Sequence, residues 1–290
     1  VISIILCLAG PVMMGVNHAR GIGAMNYSLD FVGGTSTNAT FNEDMDLAAL
    51  DSQVVPVIEK ITKDANVQVQ KVAGGNQVIF KTRTLDVEER QALTEALVEN
   101  FGVNSDLITA ETISSTISSE MRSDAIVAVV IAAICMLLYI WFRFKDIRFA
   151  TSSVAALIHD VLVVLAFYAV ARVSVGSTFI ACMLTIVGYS INATIVIFDR
   201  IRENLGAMTK KDDLEQLVNR SISQTLSRSI FTSLTTFFMV AALFVLGVSS
   251  IREFALPLMV GIVCGTYSSV CITGALWYVL RTKIGTKKSK

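Results

Sequence analysis

The chain has 290 residues, 53% of them hydrophobic, a mean hydropathy of +0.62 and a formal net charge of zero. So apolar an average excludes an intrinsically disordered chain and a protein that is soluble along its whole length. The charges are nevertheless sorted along the sequence, and residues 17–124 carry 8 basic against 16 acidic side chains. An acidic surface of that size argues against a nucleic-acid partner.

A run of about 20 apolar residues crosses the roughly 30 Å hydrocarbon layer of a bilayer. Six segments qualify or nearly qualify: Val1–Val16, Asp124–Phe142, Ala150–Ala171, Ser177–Phe198, Ser229–Gly247 and Phe254–Leu280. The first is short and reads as a truncated span. The alternative, a signal peptide, lacks its basic leading region and its small-residue cleavage site. Residues 17–123 read as a soluble domain, 124–280 as a five-helix membrane domain and 281–290 as a basic tail.

Within the soluble stretch, "SLDFVGGTSTNAT" (28–40) predicts a strand interrupted by Gly33 and Gly34. "SQVVPVIEKITK" (52–63) predicts an amphipathic helix with Val54, Val55, Ile58 and Ile61 on one side. "NVQVQKV" (66–72) and "QVIFKTR" (77–83) read as a hairpin turning at "GGN" (74–76). A second helix follows over 86–102, capped by Asp86 and ended by Gly102, and then a strand over 105–114. The order is βαββαβ, an α+β ferredoxin-like arrangement with an open sheet face or edge for a partner. No catalytic set accompanies it. His18 is the only histidine nearby and has no companion for base and nucleophile chemistry.

The membrane segments carry the informative polar residues. Asp160 sits in mid-span beside His159. A carboxylate at that depth costs at least about 2.5–3.5 kcal/mol and defaults to a functional hypothesis, here a proton relay, with hydrogen-bonded helix glue as the alternative. Neighbours in sequence lie about 100° apart around a helix, so His159 is expected to face elsewhere and to bond another helix. In "VGYSINATIVIFDRIREN" (187–204), Gly188, Asn192 and Asp199 share a face, with Ser190 and Thr194 beside them. Gly188 is expected to admit a neighbouring helix, Asn192 to bond across it, and Asp199 to mark the charged exit. "SRSIFTSLTT" (227–236) brings Arg228, and "GIVCGTYSS" (261–269) brings Gly261 and Gly265 at GxxxG spacing, followed by Ser268. Together these side chains predict a polar seam.

Basic residues cluster in three segments: Arg143 to Arg148, Arg200 to Arg228, and Arg281 to Lys290. The positive-inside rule makes these cytoplasmic, which places both termini inside and residues 17–123 outside. The five cysteines, Cys7, Cys135, Cys182, Cys264 and Cys271, all fall in predicted spans, so the soluble domain folds without disulfides. No CxxC or His/Cys ligand spacing is present, and no metal or cofactor is expected.

"LDFVGGT" (29–35), "IHD" (158–160), the 187–204 segment, "SRSIFTSLTT" and "IREFALPLMVGIVCGTYSS" (251–269), in this order, resemble the SecF half of the SecD/SecF protein-export membrane proteins, within the RND superfamily. Asp30, Gly33, Gly34 and Thr35 belong to the first of these motifs. The resemblance implies six spans, a ferredoxin-like external domain and a bacterial-type cytoplasmic membrane. It implies SecD as partner, separate or fused upstream, together with the SecYEG channel and an unfolded exported polypeptide as cargo. Proton-motive force would drive late export without covalent chemistry, and no Walker motif contradicts this. One position departs from the pattern: an acid usually follows "SIN", and here the residue is Ala193. The expected proton route then relies on a carboxylate of SecD, with Asp160 and Arg228 in support. Other readings are a sodium-coupled variant using Ser190, Asn192 and Thr194 oxygens, a fragment of an RND-type small-molecule exporter, and a passive scaffold.

Overall fold

The structure is a computed structural model that describes residues 2–20, 23–65, 67–71, 76–143, 146–209 and 212–285. The predicted turn residues Gly74 and Gly75 lie outside that set, as do Lys145, Lys210, Lys211 and the end of the basic tail. In chain order the elements are α1 (Ile2–Ala19), β1 (Asn26–Tyr27), α2 (Leu29–Val32), β2 (Gly34–Thr40), α3 (Leu47–Ala49), a π turn (Leu50–Val54) and α4 (Val55–Thr62). Next come β3 (Gln68–Lys71), β4 (Gln77–Thr82), α5 (Val87–Phe101), a 3-10 turn (Ser105–Leu107) and β5 (Thr109–Ile113). The remainder is α6 (Ser115–Arg143), α7 (Ile147–Ala171), β6 (Ser174–Val175), α8 (Ser177–Gly206), α9 (Leu214–Leu246), α10 (Ser249–Ser268), a π turn (Ser269–Thr273) and α11 (Gly274–Gly285). They group into two compact units, Tyr27–Ile126 and the rest of the chain.

In the first unit, four antiparallel strands lie in the order β3-β4-β2-β5. β4 alternates along its length: it buries Val78, Phe80 and Thr82 and turns the residues between them outward. One face packs on the helices through Phe41, Leu50, Val54, Ile58, Phe80, Leu93 and Leu97. Asp86 and Glu89 form a capping box at the start of α5, and Gly102 ends that helix with φ +63°. Arg83 and the Asp86 backbone N–H donate to Glu89, and those bonds hold its carboxyl below the usual carboxylate range.

Two expectations change here. Residues 28–40 are not one strand: Ser28 accepts from the Asp30 backbone N–H and caps the single turn α2, which Gly33 stops at φ +75°. The strand begins only at Gly34. Residues 105–114 likewise split, because Asn104 accepts from the Asp106 N–H and closes a 3-10 turn before β5 begins.

Among the described residues, five helical segments are long and apolar enough to cross a membrane: Ser115–Ile140, which runs from the first unit into the second, and Ile147–Ala171, Ser177–Gly206, Leu214–Leu246 and Ile251–Lys283 of the second. The chain is a multi-pass membrane protein. α1 is a shorter apolar helix; Gly10 lets it approach α7, where an added Cβ would meet Ala166 Cα at 3.1 Å. The predicted fifth span, Ser229–Gly247, is the distal part of a longer helix, because Asp213 caps α9 well before its apolar run begins. At one end of the bundle Phe149 stacks on Trp277 at 4.8 Å and meets Phe198 edge-on at 4.8 Å. α6 buries only 6% of its apolar stretch against 50% for α7. The last span, Ile251–Lys283, is buried as far as α7, and Ser152, Ser153, His159 and Asp160 of α7 face protein.

Candidate functional site

α7 reaches the middle of the bundle because its inward face is small: Ser152, Ser153 and Ala156 are buried. The two serines return their hydroxyls to Arg148 and Phe149 carbonyls one turn back, so both hydroxyls are satisfied. One turn beyond Ala156 stands Asp160, 1% exposed.

Four side chains surround its carboxylate. Ser190 Oγ of α8 donates to Oδ2 at 2.5 Å, and Ser268 Oγ of α10 donates to the same oxygen at 2.8 Å. Cys264 Sγ of α10 donates to Oδ1 at 3.3 Å. His159 Nδ1 lies 3.0 Å from Oδ1, and Cys7 Sγ of α1 donates to the His159 carbonyl at 4.0 Å. The expectation that His159 points away from Asp160 is thus corrected. Spacing along a helix fixes where the two Cα–Cβ bonds point, but both side chains swing toward the same interior, where alone they find polar company.

Donors from α8 and α10 offset the cost of burying the carboxyl group. Hydrogen bonds to a charged group contribute roughly 1.5–3 kcal/mol each. Two of them offset the about 2.5–3.5 kcal/mol cost of placing a carboxylate at membrane depth. Hydroxyl donors can rotate to accept instead, so a protonated carboxyl is also accommodated. His159, Asp160 and Cys264 bring one nitrogen, one oxygen and one sulfur within 4.8 Å of one another. Such a set has the chemistry of a metal ligand group, yet both Asp160 oxygens already face hydroxyl, thiol or imidazole partners.

The close approach of α8 and α10 depends on glycine. A Cβ on Gly261 would sit 2.4 Å from Ile186 Cδ1, and one on Gly265 would sit 3.2 Å from Ser190 Cβ. Thr194 bonds Ser269 at 3.0 Å, and Ser269 donates to the Ser190 carbonyl at 3.3 Å. The π turn starts directly after Ser268 and turns Ser269 toward α8. Of the predicted seam, Ser190 and Ser268 thus touch Asp160, while Gly265 packs on Ser190, Gly261 on Ile186 and Thr194 on Ser269 along the same α8–α10 contact. Cys264 was missed from the sequence; it stands four residues before Ser268, one turn along the same face.

Other expected members lie elsewhere. Gly188 meets nothing within 4 Å of an added Cβ, so the predicted helix contact is absent. Asn192 is exposed and, among the described residues, makes no cross-helix bond; it lines a separate small cleft with Ala193 and Arg228. Asp199 pairs with Arg143 at the end of α6 and lies 3.9 Å from Arg202. Asp30, Gly33, Gly34 and Thr35 belong to the other unit. Thr35 is fully buried and accepts from the Leu85 N–H at 2.9 Å.

The two glycines of α8 and α10 give a contrast. Gly261→Ala is expected to cost roughly 1–3 kcal/mol through overpacking. Gly188→Ala is expected to be neutral or to stabilise by up to about 1 kcal/mol through helix propensity. Thermal unfolding of the two variants in detergent separates these outcomes.

Known proteins share this architecture. The family described as "Protein export membrane protein SecD/SecF, C-terminal" matches residues 93–283. The protein translocase subunit SecF of Sebaldella termitidis is 39% identical over 256 residues, which is 88% of this chain and 82% of that protein. SecF of Calditerrivibrio nitroreducens is 34% identical, covering 89% of this chain and 85% of that one. The crystal structure of SecDF from Thermus thermophilus, a translocon-associated membrane protein, superposes with a TM-score of 0.82 at 35% identity over 97% of this chain. The chain spans 38% of that longer protein. On its sequence, its membrane helices and these likenesses, the chain belongs to the SecF branch of the SecD/SecF protein-export membrane protein family.

Proposed function

We propose that this chain works with SecD beside the SecYEG channel and uses the proton-motive force to promote the late stages of protein export. The observation that carries the proposal is Asp160, an acid 1% exposed at mid-span and held by side chains from α7, α8 and α10. Proton uptake and release there changes how many donors the carboxyl group can hold, and so biases how α8 and α10 pack on α7. Ala193 supplies no acid, so a carboxylate of SecD completes the route. In this reading α1 is the sixth span and both termini are cytoplasmic. Residues 17–123 form a ferredoxin-like domain on the far side that handles the emerging unfolded polypeptide, in keeping with its strand order. The protein resides in the cytoplasmic membrane among lipid and acts without a cofactor and without enzymatic chemistry.

Export of a preprotein into sealed vesicles tests this. After ATP is exhausted, an imposed proton gradient should complete export when this chain and SecD accompany SecYEG, and should fail to do so when the chain is omitted. Equal completion without the chain would overturn the proposal. A sodium-coupled variant is the second reading, favoured by the oxygen-rich surroundings of Asp160 Oδ2. Export that ignores sodium at constant voltage would remove it.

A further inference from the structure

Asp160 is buried, so its proton exchange with water runs through a neighbouring group. The four groups at its carboxylate differ in what they can pass on. Ser190 and Ser268 hold Oδ2 with hydroxyls, which donate or accept a hydrogen bond without changing charge. Cys264 offers Oδ1 a thiol, a weak donor. His159 brings the one side chain type whose charge ordinarily changes between about pH 5 and 8. Its Nδ1 lies 3.0 Å from Asp160 Oδ1. Its Nε2, at the opposite side of the ring, is buried and has no hydrogen-bond partner among the described residues. A buried polar atom in that state calls for a reason. The titratable groups around the imidazole are Asp160 of its own helix and two of α10: Cys264, 3.9 Å from Nδ1, and Tyr267, with ring centres 6.2 Å apart. Cys7 of α1 stands at its backbone carbonyl, and the Tyr267 hydroxyl shares a 3.1 Å hydrogen bond with Ser3 of α1 at an exposed position.

We infer that His159 is the proton carrier of Asp160: protons enter and leave the carboxyl group through the imidazole, with Nε2 as the outer end and Nδ1 as the inner one. The step balances. While Asp160 is ionised, Nδ1 carries the ring proton and donates to Oδ1, and Nε2 is a bare lone pair. A hydronium ion gives a proton to Nε2 and leaves as water. The Nδ1 proton passes to Oδ1, and the ring is left neutral with its proton on Nε2. Release is the reverse. The transient imidazolium faces the Asp160 carboxylate, which supplies the counter-charge that a cation at this depth requires. The 3.0 Å bond survives both states, because Nδ1 donates to the carboxylate and accepts from the acid. The inference deepens the export proposal and rests on its reading of Asp160 as the exchanging acid.

The test uses the full chain with SecD in lipid, jumped from alkaline to acid pH. Time-resolved infrared spectroscopy follows the protonated-carboxyl band that Asp160→Asn lacks. In His159→Asn the amide nitrogen takes up about the position of Nδ1 and still donates to Oδ1, but it cannot carry a proton. The band should form in this variant, and its rise should slow by roughly a hundredfold or more. His159→Ala should be as slow, and added imidazole, which fits the vacated space, should restore its rate in a saturable way while leaving His159→Asn unchanged. A positioning role alone predicts native kinetics in His159→Asn. That result would overturn the inference and leave the export proposal standing. Slow exchange in both variants without rescue by imidazole would also overturn it, since a rearranged site then accounts for the loss. A native protein in which no such band titrates would overturn the inference and the export reading together. If His159→Ala fails to assemble with SecD, the rate in His159→Asn decides.

Discussion

Asp160→Asn is expected to abolish the gradient-driven phase of export while the chain still assembles with SecD. Asn keeps the volume of the side chain and cannot take up or release a proton. Its amide also presents two donors to a site whose Oδ2 receives Ser190 and Ser268 and whose Oδ1 receives Cys264. One of those contacts becomes donor against donor, and a hydroxyl must rotate or lose its acceptor, at about 1–3 kcal/mol. The stability loss is therefore modest and the functional loss large. Ser190→Ala and Ser268→Ala each remove one bond and leave the acid in place, so they should slow gradient-driven export without abolishing it. Vesicle export assays on the three variants, with assembly checked by co-purification of SecD, separate the roles. A passive scaffold predicts no difference between native protein and Asp160→Asn.

Gly34→Ala should have the largest structural effect. Gly34 has φ +117°, a region that side-chain-bearing residues rarely adopt, and an added Cβ would lie 2.3 Å from the Thr82 carbonyl oxygen. That oxygen belongs to β4, which pairs with β2 through the register Thr35 opposite Thr82. Relief requires β2 and β4 to separate where Thr35 also bonds the Leu85 N–H and the Thr112 hydroxyl. A loss of roughly 3–5 kcal/mol is expected, at the upper end of what single substitutions do. Limited proteolysis of the full chain should show residues 27–126 cut much faster in Gly34→Ala, with the membrane helices unaffected. Unchanged protection would show that the strand pair yields cheaply.

The sequence made the large elements legible because their signals are long. Apolar runs matched to bilayer thickness mark α6 to α10, period-two alternation marks β3, and the hairpin turn marks β4 as its return strand. The capping of α5 was legible residue by residue, since Asp86, Glu89 and Gly102 stand at fixed offsets. What failed depends on three dimensions. Gly188 and Gly265 look alike in sequence, and only the second meets another helix. Asp160 was recognisable as an acid in an apolar run, but apart from His159 its shell comes from positions 30 to 108 residues away. Asn192 and Thr194 read as one polar stripe, yet a helix turns about 200° between them, so Thr194 joins the Asp160 side and Asn192 the α9 cleft. The single turn at Leu29–Val32 escaped because one side-chain cap outweighs a weak strand propensity.

The central claim, that Asp160 exchanges a proton within the bundle, is tested most directly by infrared difference spectroscopy of the full chain with SecD in lipid, titrated from acid to alkaline pH. The account predicts a protonated-carboxyl band that disappears as pH rises and is missing from Asp160→Asn. A spectrum in which that band is the same in native protein and variant at every pH would contradict it.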